Sequence, residues 1–237
     1  MNKIKIKSPA TIANLSCGFD VLGLCLENPY DEIEIKKTSE KKITLNILDS
    51  PFSNIPSNPS KNTGGVPAEL ILKKMNLDFG FNIAIKKGIP LCGGLGSSAA
   101  TASGVVYAIN MLLNEPLSLK EMLSYALEGE RVSVSKPHAD NIAPCLLGGL
   151  CLVRDTNTLD IIDIPISQYT IALIHPDIKI STEDARNILP HNIKLTTAIT
   201  QWGNLGGLIM GFSTNNTDLI KKSMHDAIIE PIRSKLI

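Results

Sequence analysis

Apolar and polar positions alternate through the first fifth of the chain, with the period of two that marks a half-buried strand. Residues 3–8 read as a first strand in which Ile4 and Ile6 are interleaved with lysines. Residues 14–26 are apolar and punctuated by glycine. Residues 31–38 (DEIEIKKT) and 42–48 (KITLNIL) alternate again and read as a hairpin pair. A Pro/Ser/Asn-rich stretch at 50–62 reads as a loop. The spacing then becomes helical over 63–75, with Thr63 placed to cap the helix. Residues 81–86 (FNIAIK) return to strand alternation, 90–96 form a glycine-rich loop, and 97–113 and 118–130 carry helix patterns. Strands are expected at 149–154 and 169–175, a short helix at 181–189 and a longer one at 191–212. That last helix contains Gly203, Gly206 and Gly207, so close packing has to offset its low intrinsic propensity. Hairpins mixed with helices predict an α+β fold, not the strict alternation of a doubly wound sheet.

The composition is that of a globular chain. Of 237 residues, 43% are hydrophobic and only 4% aromatic, so the core must be aliphatic. The 23 Lys+Arg balance 23 Asp+Glu, which argues against a nucleic-acid partner, since such affinity comes from cations on phosphates. It leaves room for a small anion held by two or three placed cations. No apolar run approaches the ~20 residues that span a bilayer, and the charged, alternating N-terminus is not a signal peptide. Five cysteines without a C-x-x-C pair read as reduced thiols of a cytoplasmic protein.

Residues 90–100 (PLCGGLGSSAA) carry the most chemistry. The glycines let backbone approach a ligand closely, and a helix opens at the serines. Its free N–H groups and positive dipole end therefore face the loop, which makes an anion site. A Walker A loop is excluded because Ser97, not lysine, follows Gly96. The match to G-x-G-x-x-A is weak as a dinucleotide fingerprint, because Glu115 falls in a turn and not at a second strand end. A glycine turn that merely packs strand on helix remains the alternative at this stage.

The string P-x-x-x-G-L-G-S-S-A-A resembles the second motif of the GHMP kinases. That resemblance implies ATP phosphates wrapped by the backbone of Pro90, Gly93, Gly94, Leu95, Gly96, Ser97 and Ser98, with Ser98 close to Mg²⁺. Four further segments are similar to homoserine kinases within that family. Residues 9–23 (PATIANLSCGFDVLG) resemble their opening motif, with Ser16 standing where glycine is usual; Asn14 and Asp20 are then implied substrate contacts, Asp20 facing an ammonium group. Residues 130–149 (ERVSVSKPHADNIAPCLLGG) resemble E-x9-DN-x-A-P-x-x-x-G-G. This implies Glu130 as a Mg²⁺ ligand with Ser98, and Asp140 and Asn141 at the substrate end. Residues 181–186 (STEDAR) and 225–233 (HDAIIEPIR) resemble the segments that carry two arginines, implying Arg186 and Arg233 as a carboxylate clamp. Arg suits that task because its fork makes two parallel hydrogen bonds. Asn62 and Thr63 sit where an N-T pair accompanies the adenine, although a helix cap explains them equally well. His138 reads as a turn residue.

The resemblance thus implies a GHMP kinase fold, with a nucleotide-binding domain at 1–150 and a C-terminal domain at 151–237. It implies ATP and Mg²⁺ as cofactors and phosphorylation of the L-homoserine hydroxyl, with a possible homodimer. A non-catalytic GHMP-fold ligand-binding protein and another GHMP small-molecule kinase are the competing readings. Asp140, Asn141 and Arg186 are the expected catalytic set. Asp140 is expected to orient rather than take a proton, because a carboxylate near its usual pKa of about 3.9 is a weak base for an alcohol. The third GHMP motif has no counterpart here, so the C-terminal domain is expected to be incomplete.

Overall fold

The computed structural model describes residues 1–52, 55–91, 93–132, 137–174 and 182–236, the side chains of 182–184 excepted. Cys92, and the ends of two expected elements at His175 and Ser181, lie outside the described residues.

A six-stranded sheet is assembled around one long strand. β1 (Lys3–Asn14) runs antiparallel to β2 (Gly18–Thr38) along most of its length. On its other side, the late half of β2 pairs with β4 (Gly80–Lys86) and its early half with β5 (Leu150–Asp155). β3 (Ile43–Leu48) lies parallel to β4, and β6 (Asp160–Ile164) closes the other end, giving the order β3-β4-β2-β5-β6. The α+β expectation holds. The expected hairpin of 31–38 with 42–48 does not form: β4 lies between the two. Alternation fixes which face a strand buries, not which neighbour it takes. The apolar face of β4 (Phe81, Ile83, Ile85, all fully buried) fills the place beside Ile33 and Ile35.

One face of the sheet is covered by α1 (Gly65–Lys74), α2 (Ser97–Leu112), α3 (Leu119–Glu130) and α4 (Ala139–Leu147). α2 is the central helix and is buried nearly all round, as a helix without a polar face must be. Its Ala99, Ala100, Ala102 and Ser103 let the neighbouring elements close on it. Ser118 caps α3 in a capping box with Glu121. Asn62, and not Thr63, caps the start of α1: its Oδ1 accepts from the N–H groups of Gly64 (2.9 Å) and Gly65 (3.3 Å).

α4 was not expected, because Pro144 interrupts its pattern. Proline offers no N–H to the carbonyl four residues back, and that carbonyl, Asp140 O, is turned onto β2. It lies against Gly23, where an added Cβ would stand 1.7 Å from it. Gly23 is therefore the residue that lets the start of α4 touch the sheet.

The chain after β5 also departs from expectation. β5 turns directly into β6 through a turn in which Asp155 accepts from Asn157 N (2.8 Å) and Thr158 Oγ1 (2.9 Å). Residues 169–174 are not a strand and have no ladder partner among the described residues. α5 (Thr182–Asn187) precedes α6 (Leu195–Ser213), α7 (Thr217–Ser223) and α8 (Glu230–Arg233). α6 buries Leu208 and Phe212 against Leu15, Cys17, Leu22, Leu24, Leu150 and Ile164 in a second core. Only part of its apolar pattern is buried, since Leu195, Ile199, Trp202 and Met210 face outward. The expected compensation for its glycines is found at Gly207, which packs on Ser223 of α7, whereas Gly203 and Gly206 face open space. Among the described residues, no helix is long and apolar enough to cross a membrane.

Candidate active site

The glycine loop joins the end of β4 to the start of α2. Gly94 (φ +69°) and Gly96 (φ +62°) are both left-handed, so side chains there would be strained, and Gly96 forms the N-cap of α2. A Cβ at Gly96 would stand 2.1 Å from Thr11 Oγ1 and 2.8 Å from Asn141 Oδ1. Those two side chains are hydrogen-bonded to each other at 2.8 Å, and Thr11 N donates to Leu95 O at 3.2 Å. The loop is thereby held between β1 and the first turn of α4. The Ser97 hydroxyl is turned into the fold, donating to Ile89 O at 3.2 Å.

Both ends of the loop meet a buried ion pair that motif reading passed over. Lys87 and Asp31 pair directly, with side chains 3% and 0% exposed. The Lys87 ammonium also donates to Ser97 O (2.8 Å) and Thr101 Oγ1 (2.8 Å), at the start of α2. Asp31 accepts from the N–H groups of Gly88 (3.0 Å) and Ile89 (3.1 Å), at the start of the loop. Burial pulls the lysine pKa down, against Asp31 and the more distant Glu130, which raise it. A sequence signal did exist. Asp31 shares strand parity with buried Ile33 and Ile35, and Lys87 with Ile83 and Ile85. One step beyond the Glu32–Lys86 pairing, the two would stand opposite each other.

Ser98 and Glu130 come together as expected: the Ser98 hydroxyl donates to Glu130 Oε2 at 3.1 Å. Glu130 is buried, and burial pushes its pKa up to about 7, against the Ser98 hydrogen bond and the Lys87 charge. One carboxylate and one hydroxyl at a helix start are hard oxygen donors of the kind Mg²⁺ takes beside substrate phosphates. Among the described residues there is no cluster of three or more His, Cys, Asp or Glu that could hold a metal ion.

The second half of the site gathers around the turn between β1 and β2. Asn14, Leu15 and Ser16 are all left-handed, with φ of 72°, 43° and 65°. The usual glycine at position 16 would sit there without strain, whereas serine costs roughly 1–2 kcal/mol. Asn14 Oδ1 accepts from Asp20 N at 3.0 Å and closes the turn. Asp20 and Arg186, assigned to opposite ends of a substrate, pair with each other through two hydrogen bonds of 2.8 and 3.0 Å. His138 Nδ1 lies 3.5 Å from the same carboxylate, closer to the site than its reading as a turn residue implied. Arg233 reaches the same place: its Nε donates to Ala185 O at 2.8 Å, and both guanidiniums lie over the ring of Phe19. Asp226 caps the start of α8, accepting from Ile228, Ile229 and Glu230 N–H groups. Gln201 ties Asp226 to Cys17 O, and so to the same turn. Gln201 lies in none of the motif segments, and Asp226, inside the 225–233 segment, shows its capping role only in the fold.

Asp140 occupies the middle. It is buried in the first turn of α4, next to Asn141, which meets the glycine loop, and within electrostatic range of Asp20 and Arg186. Burial, and then the Asp20 charge, push its pKa up to about 7, while Arg186 and the backbone N–H groups of Asn141 and Asp140 pull it down. The premise that this carboxylate sits near its usual value is therefore overturned: burial leaves the charged form poorly solvated. At the other end of the site, the Asn62 side chain is committed to capping α1 and to Pro56 O (2.8 Å); Thr63 beside it is half-buried.

A glycine loop at a helix start, a half-buried serine on a buried glutamate beside it and a charged cluster around Asp20 are the features a small-molecule kinase would need. Residues 66–149 match the GHMP kinases N terminal domain. Over its whole length the chain is 38% identical to a homoserine kinase of Methanococcus maripaludis, covering 78% of that protein. It is 40% identical to one of Chlorobium phaeobacteroides, over 96% of this chain and 75% of the relative. The crystal structure of homoserine kinase from Cytophaga hutchinsonii superposes with a TM-score of 0.90 at 43% identity, over 100% of this chain and 76% of that one. The chain belongs to the homoserine kinase family of the GHMP kinases.

Proposed function

We propose that the protein transfers the γ-phosphoryl group of ATP to the side-chain hydroxyl of L-homoserine, giving O-phospho-L-homoserine and ADP. The observation that carries this reading is the position of α4. Its first turn meets the glycine loop through Asn141 and brings Asp140 within electrostatic range of the Asp20–Arg186 pair, so one short helix links the two halves of a transfer site.

The substrate carries an ammonium and a carboxylate. Asp20 and Arg186, paired with each other, supply one partner for each, and Arg233 adds a second cation. In this reading residues 1–150 hold the nucleotide and 151–237 supply the arginines, although the sheet runs on through β5 across residue 150. The loop N–H groups of residues 93–98 would take the phosphates, and Thr63 would stand nearer the base than Asn62, whose amide is engaged. Ser98 and Glu130 would hold Mg²⁺. That ion, when bound, offsets charge on the transferring phosphoryl oxygens.

Phosphoryl transfer asks little covalent chemistry of a protein beyond positioning and a path for the hydroxyl proton. Asp140, with its pKa near 7, is poised to accept that proton in neutral solution, and Asn141 ties its helix to the loop. The test is ADP release, coupled to an indicator reaction, across a panel of amino acids and alcohols. Homoserine-dependent turnover is the expected result; ATP binding with no turnover on homoserine would overturn the reading.

The clamp has its own test. Arg233→Ala removes one of two charged hydrogen-bond partners of the carboxylate. The KM for homoserine is expected to rise about 10–100-fold, the value of one charge-assisted bond. An unchanged KM would take Arg233 out of the substrate site.

A further inference from the structure

The two arginines share one neighbour that carries no charge. The Arg233 guanidinium carbon lies 4.8 Å from the centroid of the Phe19 ring, and that of Arg186 lies 5.5 Å from it. Both are within cation–π range. They are also close enough to oppose each other, and the Arg186 charge, after burial, helps to lower the Arg233 pKa. Something must hold two like charges together while they await an anion. Asp20 pairs directly with Arg186 and, with Asp226, acts on Arg233 only through space, whereas an acid paired directly with Arg233 would compete with any carboxylate that the two arginines are meant to bind. An aromatic ring attracts both cations through its quadrupole and presents no anion.

Building on the homoserine reading above, we propose that Phe19 is a positioning residue: its ring face holds Arg186 and Arg233 in register for the carboxylate of the amino-acid substrate. Phe19 is the second residue of β2, immediately beside Asp20, so a single two-residue unit places both the partner of the ammonium and the platform for the carboxylate clamp. On this assignment Phe19 acts on neither the phosphates nor the reacting hydroxyl. Its influence belongs in substrate affinity and not in turnover or ATP affinity.

Phe19→Leu keeps an apolar side chain in a half-buried place and removes the ring. Losing two cation–π contacts is expected to raise the KM for homoserine about 5–30-fold while kcat and the KM for ATP stay within about threefold. Phe19→Tyr is expected to restore wild-type KM. The sharper test replaces Phe19 with phenylalanines carrying one, two and three ring fluorines. These keep the ring's shape and drain its negative face, so packing alone would leave KM flat. A stepwise rise in log KM with fluorine count supports the platform. A flat series in enzyme that turns over homoserine overturns it and leaves the homoserine reading standing. Absence of homoserine turnover in the wild-type chain would instead overturn both.

Discussion

Asp140→Asn is expected to slow homoserine phosphorylation about 10²–10⁴-fold, the usual span for loss of a general base, and at the same time to make the substrate-free protein more stable above pH 7. The two effects share one cause. Burial and Asp20 raise the Asp140 pKa from 3.8 to about 7, which suits a group that must take a proton from an alcohol in neutral solution. The same environment makes the charged form costly. The folded chain binds this proton more tightly than the unfolded one, so the side chain carries no penalty below about pH 4. The penalty grows as pH rises towards 7 and is constant above it. At about 1.4 kcal/mol per pH unit, the interval from 3.8 to about 7 caps that penalty at about 4 kcal/mol. Asparagine keeps the shape and loses the charge. Thermal melts of both proteins should coincide near pH 4 and separate by about 5–15 °C at pH 8, while the KM for ATP stays close to that of the wild type. In the wild-type enzyme, kcat/KM for homoserine should fall about tenfold per unit below pH 7 as this carboxylate protonates. Wild-type kcat in the variant would remove Asp140 from catalysis; melting curves that stay together at pH 8 would remove the strain.

How much of this could be read from the chain depends on the range over which each signal acts. β4, α2 and the capped start of α3 are local patterns, and they form where the alternation, the small-residue run and Ser118 place them, whereas β1 starts with its alternation but runs on past residue 8 to Asn14. The glycine loop, Ser98 and Glu130 were legible because their chemistry lies in short strings, and Asp20 and Arg186 because their segments resemble those of a family. What stayed hidden needed a partner from far along the chain. The parallel seat of β3 beside β4 leaves no mark within 31–48, where a three-residue gap suggests a hairpin. α4 hides behind Pro144, because the compensating contact is Gly23, more than a hundred residues away. Residues 169–174 show the reverse case, an apolar alternating segment that finds no strand to pair with among the described residues. Phe19 gave no signal at all, since an aromatic beside an acid becomes a platform only when two distant arginines fold over it.

The pair at the foot of the glycine loop gives the largest expected loss of stability. Lys87→Met should cost about 3–5 kcal/mol, because it leaves the Asp31 carboxylate buried and without its cation. For a chain of this size that corresponds to a fall in melting temperature of about 6–20 °C. The loss has a functional side as well. Asp31 holds the N–H groups at 88 and 89, and Lys87 holds the carbonyl of Ser97, so together they clamp the two ends of the loop. The KM for ATP should therefore rise in the variant, with the KM for homoserine far less affected. The double variant Asp31→Asn/Lys87→Met separates charge from clamp. Asparagine can still accept from Gly88 and Ile89 through its amide oxygen, and no uncompensated charge remains. More than half of the lost stability should return, while ATP affinity, which needs the Lys87 contact with Ser97 O, should not. A single variant that melts within a degree of the wild type would mean that water reaches Asp31. A double variant that melts lower than the single would mean that the ion pair, and not merely its neutrality, stabilises the loop.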